Sequence, residues 1–442
     1  MENNIIRSLT GVVAATGLAL MFGACAAKKP PASELGEPGG QSPFPGTEWA
    51  QVAPAADGFS QEGIDRAVAY AKQEGSTSGM IVHDGLVVAE WGDVSRKSNL
   101  HSGRKSFMSA LIGIAVARGQ MHLDDTLAQL GVDDNEPSLS PTEKEATVRM
   151  LLEARSGVYH PSVYETAEME ASRPPRYSHP PGTFWYYNNW DFNTVGAIYE
   201  KATGEDIFKA LQTEIADPIG MQDYRPSDGH YVSGGLATRY PAYPLNMSAR
   251  DLARFALLYL HNGRWRDRQI VPAQWVAEST HSYSDTPTGG YGYMWWTSVP
   301  ASGPRGPKVA LLRPTYWADG HLGQYAVIVP SLDLVVVNLV DSRLTSRRMG
   351  QLKMEKLVWL VESAENATGI GPEPGTSRPS DSSARQPRLP AIKIPRPATT
   401  AAVAPLLTET EKRPWLRNTT RWPSFSKVHP LVPAAGGLRM NV

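Results

Sequence analysis

The spacing of apolar positions changes character twice along the central part of the chain. A helical period runs from Ser60 to Glu74, opened by a serine cap and stopped at Gly75. Alternating and apolar runs at Gly79 to His83 and Leu86 to Trp91, joined by Asp84-Gly85, predict a β-hairpin. The period then returns to that of helices over Ser102 to Arg118, from Val148 to Ala154, over Asn193 to Ala202, and over Ser248 to His261, which closes at Gly263. Strand signals resume at Gly290 to Trp296, Gln324 to Pro330 and Leu332 to Val340. Hairpin first, helices inserted and strands last imply an α/β (α+β) fold. The two ends of the domain pair in one antiparallel sheet, with helices on its face and in a mostly helical second lobe.

The two ends of the chain have other compositions. Residues 1–25 read as a signal peptide: Arg7 precedes the apolar stretch Leu9 to Phe22, followed by Gly23-Ala24-Cys25. Cys25 resembles the lipidated cysteine of a bacterial lipoprotein, with Phe22 where Leu is usual. These features predict an exported protein of the periplasm or cell envelope, attached to the membrane through a lipidated Cys25. The rival is a plain signal peptide that happens to contain Cys. Residues 26–55, rich in Pro, Gly, Ser and Ala, read as a flexible linker. Residues 56–362 form the catalytic-domain candidate. Residues 363–442 hold 12 of the 36 prolines, with 11 Lys plus Arg against 5 Asp plus Glu, and read as a disordered basic tail.

Composition narrows the class. A chain of 442 residues, 41% hydrophobic, can bury a large core. A net charge of -1 gives no bulk polyanion-binding character, so no nucleic-acid partner is expected. The single cysteine excludes an internal disulfide and a cysteine metal cluster, and no His-Glu cluster offers a metal site. No cofactor is called for, and oligomeric state is not legible.

Chemistry concentrates in three places. In Ser102-Gly103-Arg104-Lys105 a hydroxyl and an ammonium three residues apart share one helix face. Serine needs a general base within hydrogen-bond reach, and Lys105 can serve if burial and the positive end of its helix lower its pKa. Trp185-Tyr186-Tyr187-Asn188-Asn189 supplies a phenol that a neighbouring ammonium is expected to make more acidic, and Asn189 is expected to turn its amide toward a substrate carbonyl. Trp317-Ala318-Asp319-Gly320-His321-Leu322-Gly323-Gln324 places glycines at a strand edge, where a main-chain N–H can meet a carbonyl oxygen. Each element also has a plain structural reading: a chance helix start, a core-packed aromatic turn and a glycine bulge. Of Trp295 and Trp296, one is expected in the core and one at the cleft. His160 and His179 are read as surface residues.

The order Ser-x-x-Lys, Tyr-x-Asn and a late glycine motif resembles the serine β-lactamase and penicillin-binding protein superfamily. Within it the chain is similar to the class C β-lactamase-like branch, with its family VIII carboxylesterases and 6-aminohexanoate-dimer hydrolases. Lys105-Ser106-Phe107, Ser156-Gly157, Pro181-Gly182 and Asp251-Leu252-Ala253-Arg254-Phe255 fall in the same order. The resemblance covers roughly residues 55 to 360. It implies Ser102 as acylated nucleophile, Lys105 as its proton partner and Tyr187 as general base or acid. Tyr187 is preferred to Tyr186 because Gly196 then lies nine residues beyond the tyrosine, where the family has its helix glycine. Many relatives carry Lys-Thr-Gly or His-x-Gly in the third motif. Here His321-Leu322-Gly323 competes with Ala318-Asp319-Gly320, and the second register is favoured. It makes His321 the backbone oxyanion donor beside that of Ser102. Asp in place of Thr would repel a substrate carboxylate, which points to ester or simple amide substrates. The rivals are a β-lactamase or D,D-peptidase, a linear-amide hydrolase using Tyr164, Glu165 and Glu168 for a substrate amine, and a non-catalytic lipoprotein.

Overall fold

The computed structural model describes residues 43–302 and 311–365. The signal peptide, Cys25 and nearly all of the basic tail lie outside the described residues. The hairpin forms as expected, with β1 (Ser78–His83) and β2 (Leu86–Gly92). The later strands are β3 (Ser284–Thr286), β4 (Gly289–Tyr291), β5 (Trp296–Thr297), β6 (Tyr316–Gly320), β7 (Gln324–Val329) and β8 (Leu334–Leu339). Among the described residues they make one eight-stranded sheet in the order β2-β1-β8-β7-β6-β5-β4-β3. The pairs assigned a register are antiparallel, including β1 with β8, where Met80 lies opposite Val337. The two ends of the domain thus meet in the sheet, as the strand pattern predicts.

Period two explains how the sheet holds two cores. Along β1, β7 and β8, Ile81, Val327 and Val336 face one apolar cluster, while Met80, Ala326 and Val337 face the other. A strand covered on both faces reads as a continuous apolar run, which is why β7 and β8 show no polar alternation. The first cluster is closed by α1 (Gln61–Gln73) and a C-terminal helix (Gln351–Ser363). Ser60 caps α1 by accepting from the Gly63 amide at 3.2 Å. The second cluster takes in the helical region, with α2 (Arg104–Ala117), α3 (Asn189–Thr203), α4 (Ala249–Leu260) and α5 (Ala273–Ser279). Twelve of the fourteen residues of α2 are buried, and a Cβ on Gly113 would stand 2.3 Å from the Trp275 ring of α5. This helix is enclosed on every side.

Four expectations are corrected. The run Gly290 to Trp296 is not one strand: Gly292 donates to the Trp295 carbonyl at 2.8 Å and Met294 adopts φ 61°, so the chain doubles back as β4 and β5. The linker does not reach residue 55. From Pro45 the chain is packed, since Arg254 donates to the carbonyls of Gly46 and Thr47, and Val52 donates to Val87 on β2 at 3.0 Å. The domain also runs past residue 362, to an isolated bridge between Glu365 and Phe59. His160, expected at the surface, is 1% exposed and lies 3.4 Å from Asp134.

Asp134 pins α3 to the surrounding loops. Its carboxylate accepts from the Trp190 indole at 2.7 Å, the Thr238 hydroxyl at 2.6 Å, and the amides of Arg239 and Asn135, each at 2.7 Å. Asp134→Ala strands these donors around a buried void and is expected to cost about 3 kcal/mol, measured as a lowered urea midpoint with an unchanged transition slope.

Candidate active site

Ser102 stands one turn ahead of α2, in a 3-10 turn spanning His101–Gly103. The expected helix therefore starts two residues late. His101 is left-handed at φ 47°, and its peptide is held at both ends: Asn99 Oδ1 accepts from the His101 amide at 2.8 Å, and Arg104 Nη1 donates to its carbonyl at 2.7 Å. A non-glycine residue costs free energy in that conformation, so the surrounding bonds must enforce it.

Lys105, 1% exposed, collects the other groups. Its Nζ lies 3.0 Å from Ser102 Oγ, 2.6 Å from the Tyr187 hydroxyl and 2.7 Å from Asn189 Oδ1. Tyr187 and Phe192 place their rings 4.3 and 4.4 Å from the nitrogen. Burial pushes the Lys105 pKa well below that of a free lysine, helped by the charge of Arg104 and opposed by Asp319. The aromatic faces favour the ammonium, but they do not replace the water it has lost. As an amine, Nζ has two protons to donate and one lone pair. Asn189 Oδ1 can only accept, which leaves one donor and the lone pair for the two hydroxyls.

The tyrosine expectation reverses. Burial pushes the Tyr187 phenol up, outweighing its hydrogen bond with Ser102 and the charge of Arg104. Trp296 stacks on Tyr187 at 5.4 Å and Phe192 packs at 5.0 Å, so there is little solvation for a phenolate. Burial thus favours a neutral amine beside a protonated phenol. Tyr186, the rival in the sequence, donates instead to the Met169 carbonyl at 2.7 Å.

Asn189 also differs from expectation. It is 2% exposed in the first turn of α3, with Oδ1 on Lys105 and Nδ2 on the Tyr164 carbonyl at 2.5 Å. Both ends of its amide are occupied by protein, so it fixes Lys105 and the Tyr164 loop and does not offer an amide to the cleft. Sequence spacing brought Asn189 to the site correctly but could not give the direction of its side chain.

The third motif adopts the register Ala318-Asp319-Gly320 on β6, with His321-Leu322-Gly323 in the turn to β7. A Cβ at Gly320 would sit 2.1 Å from the Leu100 carbonyl, so glycine is what lets the strand end lie against the Ser102 turn. Ser102, Tyr187, Trp296, Asp319 and His321 line a cavity of about 460 Å3, together with the Tyr164–Thr166 loop. Of the tryptophan pair, Trp296 lies at the cleft and Trp295 is fully buried. Burial raises the Asp319 carboxyl to about 7 despite nearby Lys105. Burial lowers both histidines, His101 to about 4, and their rings stand 5.7 Å apart at the cavity wall. At neutral pH the imidazoles are uncharged, and no lysine or arginine lines this cavity among the described residues.

The sequence named Glu165, with Tyr164 and Glu168, only for the linear-amide rival, and it did not single out Arg104. A charged residue beside an apolar run is the signal that could have marked Arg104. The burial of Glu165 arises from a loop with no periodic pattern and was not legible.

Comparison with known proteins agrees with this fold. The profile of the Beta-lactamase family matches residues 64–355. No curated relative matches the chain. A Bacillus anthracis protein described as a 6-aminohexanoate-dimer hydrolase aligns with a TM-score of 0.51 at 19% identity, covering 70% of this chain and 84% of that one. An octameric penicillin-binding protein homologue from Pyrococcus abyssi aligns with a TM-score of 0.51 at 18% identity, covering 70% and 78%. At such identities the two structures speak for the fold, whereas the profile spans well over half of the chain. The protein belongs to the beta-lactamase family, with the mixed α/β fold of the serine β-lactamases and penicillin-binding proteins.

Proposed function

We propose that this protein is a serine hydrolase that cleaves esters and simple amides through an acyl-enzyme on Ser102. The carrying observation is the buried Lys105 amine within hydrogen-bond distance of both the Ser102 and Tyr187 hydroxyls. In this reading the lone pair of Lys105 takes the serine proton as Oγ attacks the carbonyl carbon. The carbonyl oxygen becomes an oxyanion held by the backbone N–H groups of Ser102 and His321. Tyr187, bonded to both Lys105 and Ser102, passes the proton from the resulting ammonium to the leaving alcohol or amine as the carbonyl re-forms. Water then repeats the sequence on the acyl-enzyme, with Lys105 again as base, and releases the acid. The same proposal locates the hydrolase in the cell envelope, on the expectation of a leader ending at Cys25.

Substrate preference follows from charge. In the adopted register Ala318 stands where the resemblance has a cation for the carboxylate of a β-lactam, Asp319 lines the cavity next to it, and burial favours the neutral form of both histidines. Esters without a carboxylate beside the scissile bond are therefore favoured over penicillins. One observation supports a second reading, a linear amide with a free amine. Glu165, with its side chain 9% exposed, gives Oε2 to Arg173 at 2.5 Å, while Oε1 is buried and has no partner. That oxygen belongs to a residue of the cavity wall and can accept from a substrate ammonium.

A fluorophosphonate probe is expected to label the wild type and not Ser102→Ala, with p-nitrophenyl acetate turned over at least tenfold faster than nitrocefin. Equal labelling of the two proteins sinks the enzymatic reading. The pH dependence has a definite sign: kcat/KM rises as Lys105 loses its proton. Asp319, ionising near pH 7, holds that proton on. Asp319→Asn is expected to move the acid limb of the profile to lower pH, read from initial rates between pH 5 and 9 at constant ionic strength. For the second reading, Glu165→Gln should lower kcat/KM for an ω-aminoacyl p-nitrophenyl ester by about tenfold while leaving the unaminated ester of equal length unchanged.

A further inference from the structure

Arg104 lies between the nucleophile and its base in the chain and is almost as deeply buried as Lys105, at 2% exposure. A buried guanidinium is ordinarily matched by a carboxylate. Arg104 has none within ion-pair distance among the described residues, and its Nε and Nη2 have no acceptor. Its hydrogen bond is the one to the His101 carbonyl, at 2.7 Å. The rest of its environment is aromatic, with the Tyr164 and Tyr243 rings 5.3 and 5.0 Å from the guanidinium carbon.

We infer that Arg104 is a positioning residue of the acylation site: its bond to the His101 carbonyl aims Ser102, and its unpaired charge keeps the neighbouring Lys105 amine available as a base. The inference rests on the reading of Ser102 as nucleophile and Lys105 as its proton acceptor.

The aiming follows from the turn. His101 immediately precedes Ser102 and is left-handed, and its peptide is tied by Asn99 on one side and Arg104 on the other. Losing the Arg104 bond frees the carbonyl end, and a small rotation there swings Oγ away from Nζ. The same guanidinium packs on Tyr164, whose carbonyl holds the amide of Asn189. Nucleophile and base are thus braced from one side chain.

The charge effect follows from what faces Lys105. Arg104 is on its own helix, Asp319 comes from β6, Tyr187 from the segment before α3, and Asn189 and Phe192 from α3. The phenols of Tyr243 and Tyr291 lie behind Tyr187. Asp191, also on α3, is bonded to Ser156 and Asn188, and burial favours its neutral form. Asp319 is thus the carboxyl that stabilises an ammonium here, and Arg104 is the fixed charge opposing it. With a neutral side chain at 104, Asp319 acts alone and Lys105 keeps its proton to higher pH.

The test compares full-length wild type, Arg104→Met and Arg104→Lys by kcat/KM for p-nitrophenyl acetate and by the rate of fluorophosphonate labelling across pH 5 to 10. Arg104→Met is expected to move the acid limb up by about one pH unit, with part of the lost rate recovered in alkali. Arg104→Lys keeps a charge but not the planar fork, so its limb stays in place while labelling slows by about tenfold at every pH. A folded Met variant with an unmoved limb overturns the charge role. A Lys variant labelled at the wild-type rate overturns the aiming role, and this arm holds even where the Met variant does not fold. Failure of the wild type to label, or equal labelling of Ser102→Ala, removes the underlying reading and this inference with it.

Discussion

Desolvation of one amine is the constraint on which the site depends. Lysine in water is an ammonium and no base at all. At position 105 it is enclosed by α2, the first turn of α3, the aromatic side chains of Tyr187 and Phe192, and the end of β6. Apart from α2, its own helix, none of those walls is local in sequence. The sheet brings β6 to the serine turn, and α3 is held in place by Asp134 through Trp190. Removing water from Nζ is therefore a property of the whole fold, and the chemistry proposed for the hydroxyls beside it depends on that removal.

The same enclosure explains what was legible in the sequence. Spacing was enough to expect Ser102, Lys105 and Tyr187 in one place, where the structure brings them together, because helix geometry and strand order are local or repetitive signals. Register was also recoverable: Tyr187 over Tyr186 and Gly320 over Gly323 both agree with the structure. The direction of the tyrosine's pKa was not recoverable. Reasoning from the adjacent lysine charge predicted a more acidic phenol, but that charge is itself suppressed by the burial that raises the phenol. Neighbour identity can be read from a chain, whereas solvation cannot.

Other misreadings have similar causes. A proline- and glycine-rich composition predicted a tether to residue 55, yet Arg254, far along the chain, binds the carbonyls of Gly46 and Thr47 and fixes that stretch. Gly290 to Trp296 reads as one strand because its apolar content is high. The left-handed Met294 that folds it into two is set by tertiary packing around Tyr293 and Trp295, both fully buried. Asn189 was placed at the site, but its amide serves Lys105 and Tyr164 because a buried amide must satisfy both of its ends. In each case a long-range partner outweighed the local pattern.

The pairing of β1 with β8 has a consequence for synthesis. Met80 and Val337 are neighbours in the sheet and about 250 residues apart in the chain, so loop closure for this pair is among the most demanding in the domain. As the chain emerges, β1 and β2 form an early hairpin with one bare edge that stays unmatched until almost the entire domain has been made. A ribosome stalled before Leu334 would leave the edge of β1, with Met80, Ile81 and Val82, without its partner, open to pairing with another copy. The topology that seals the two cores thus delays completion of the sheet to the last strand and gives a partially synthesised chain its strongest reason to be kept apart from its neighbours.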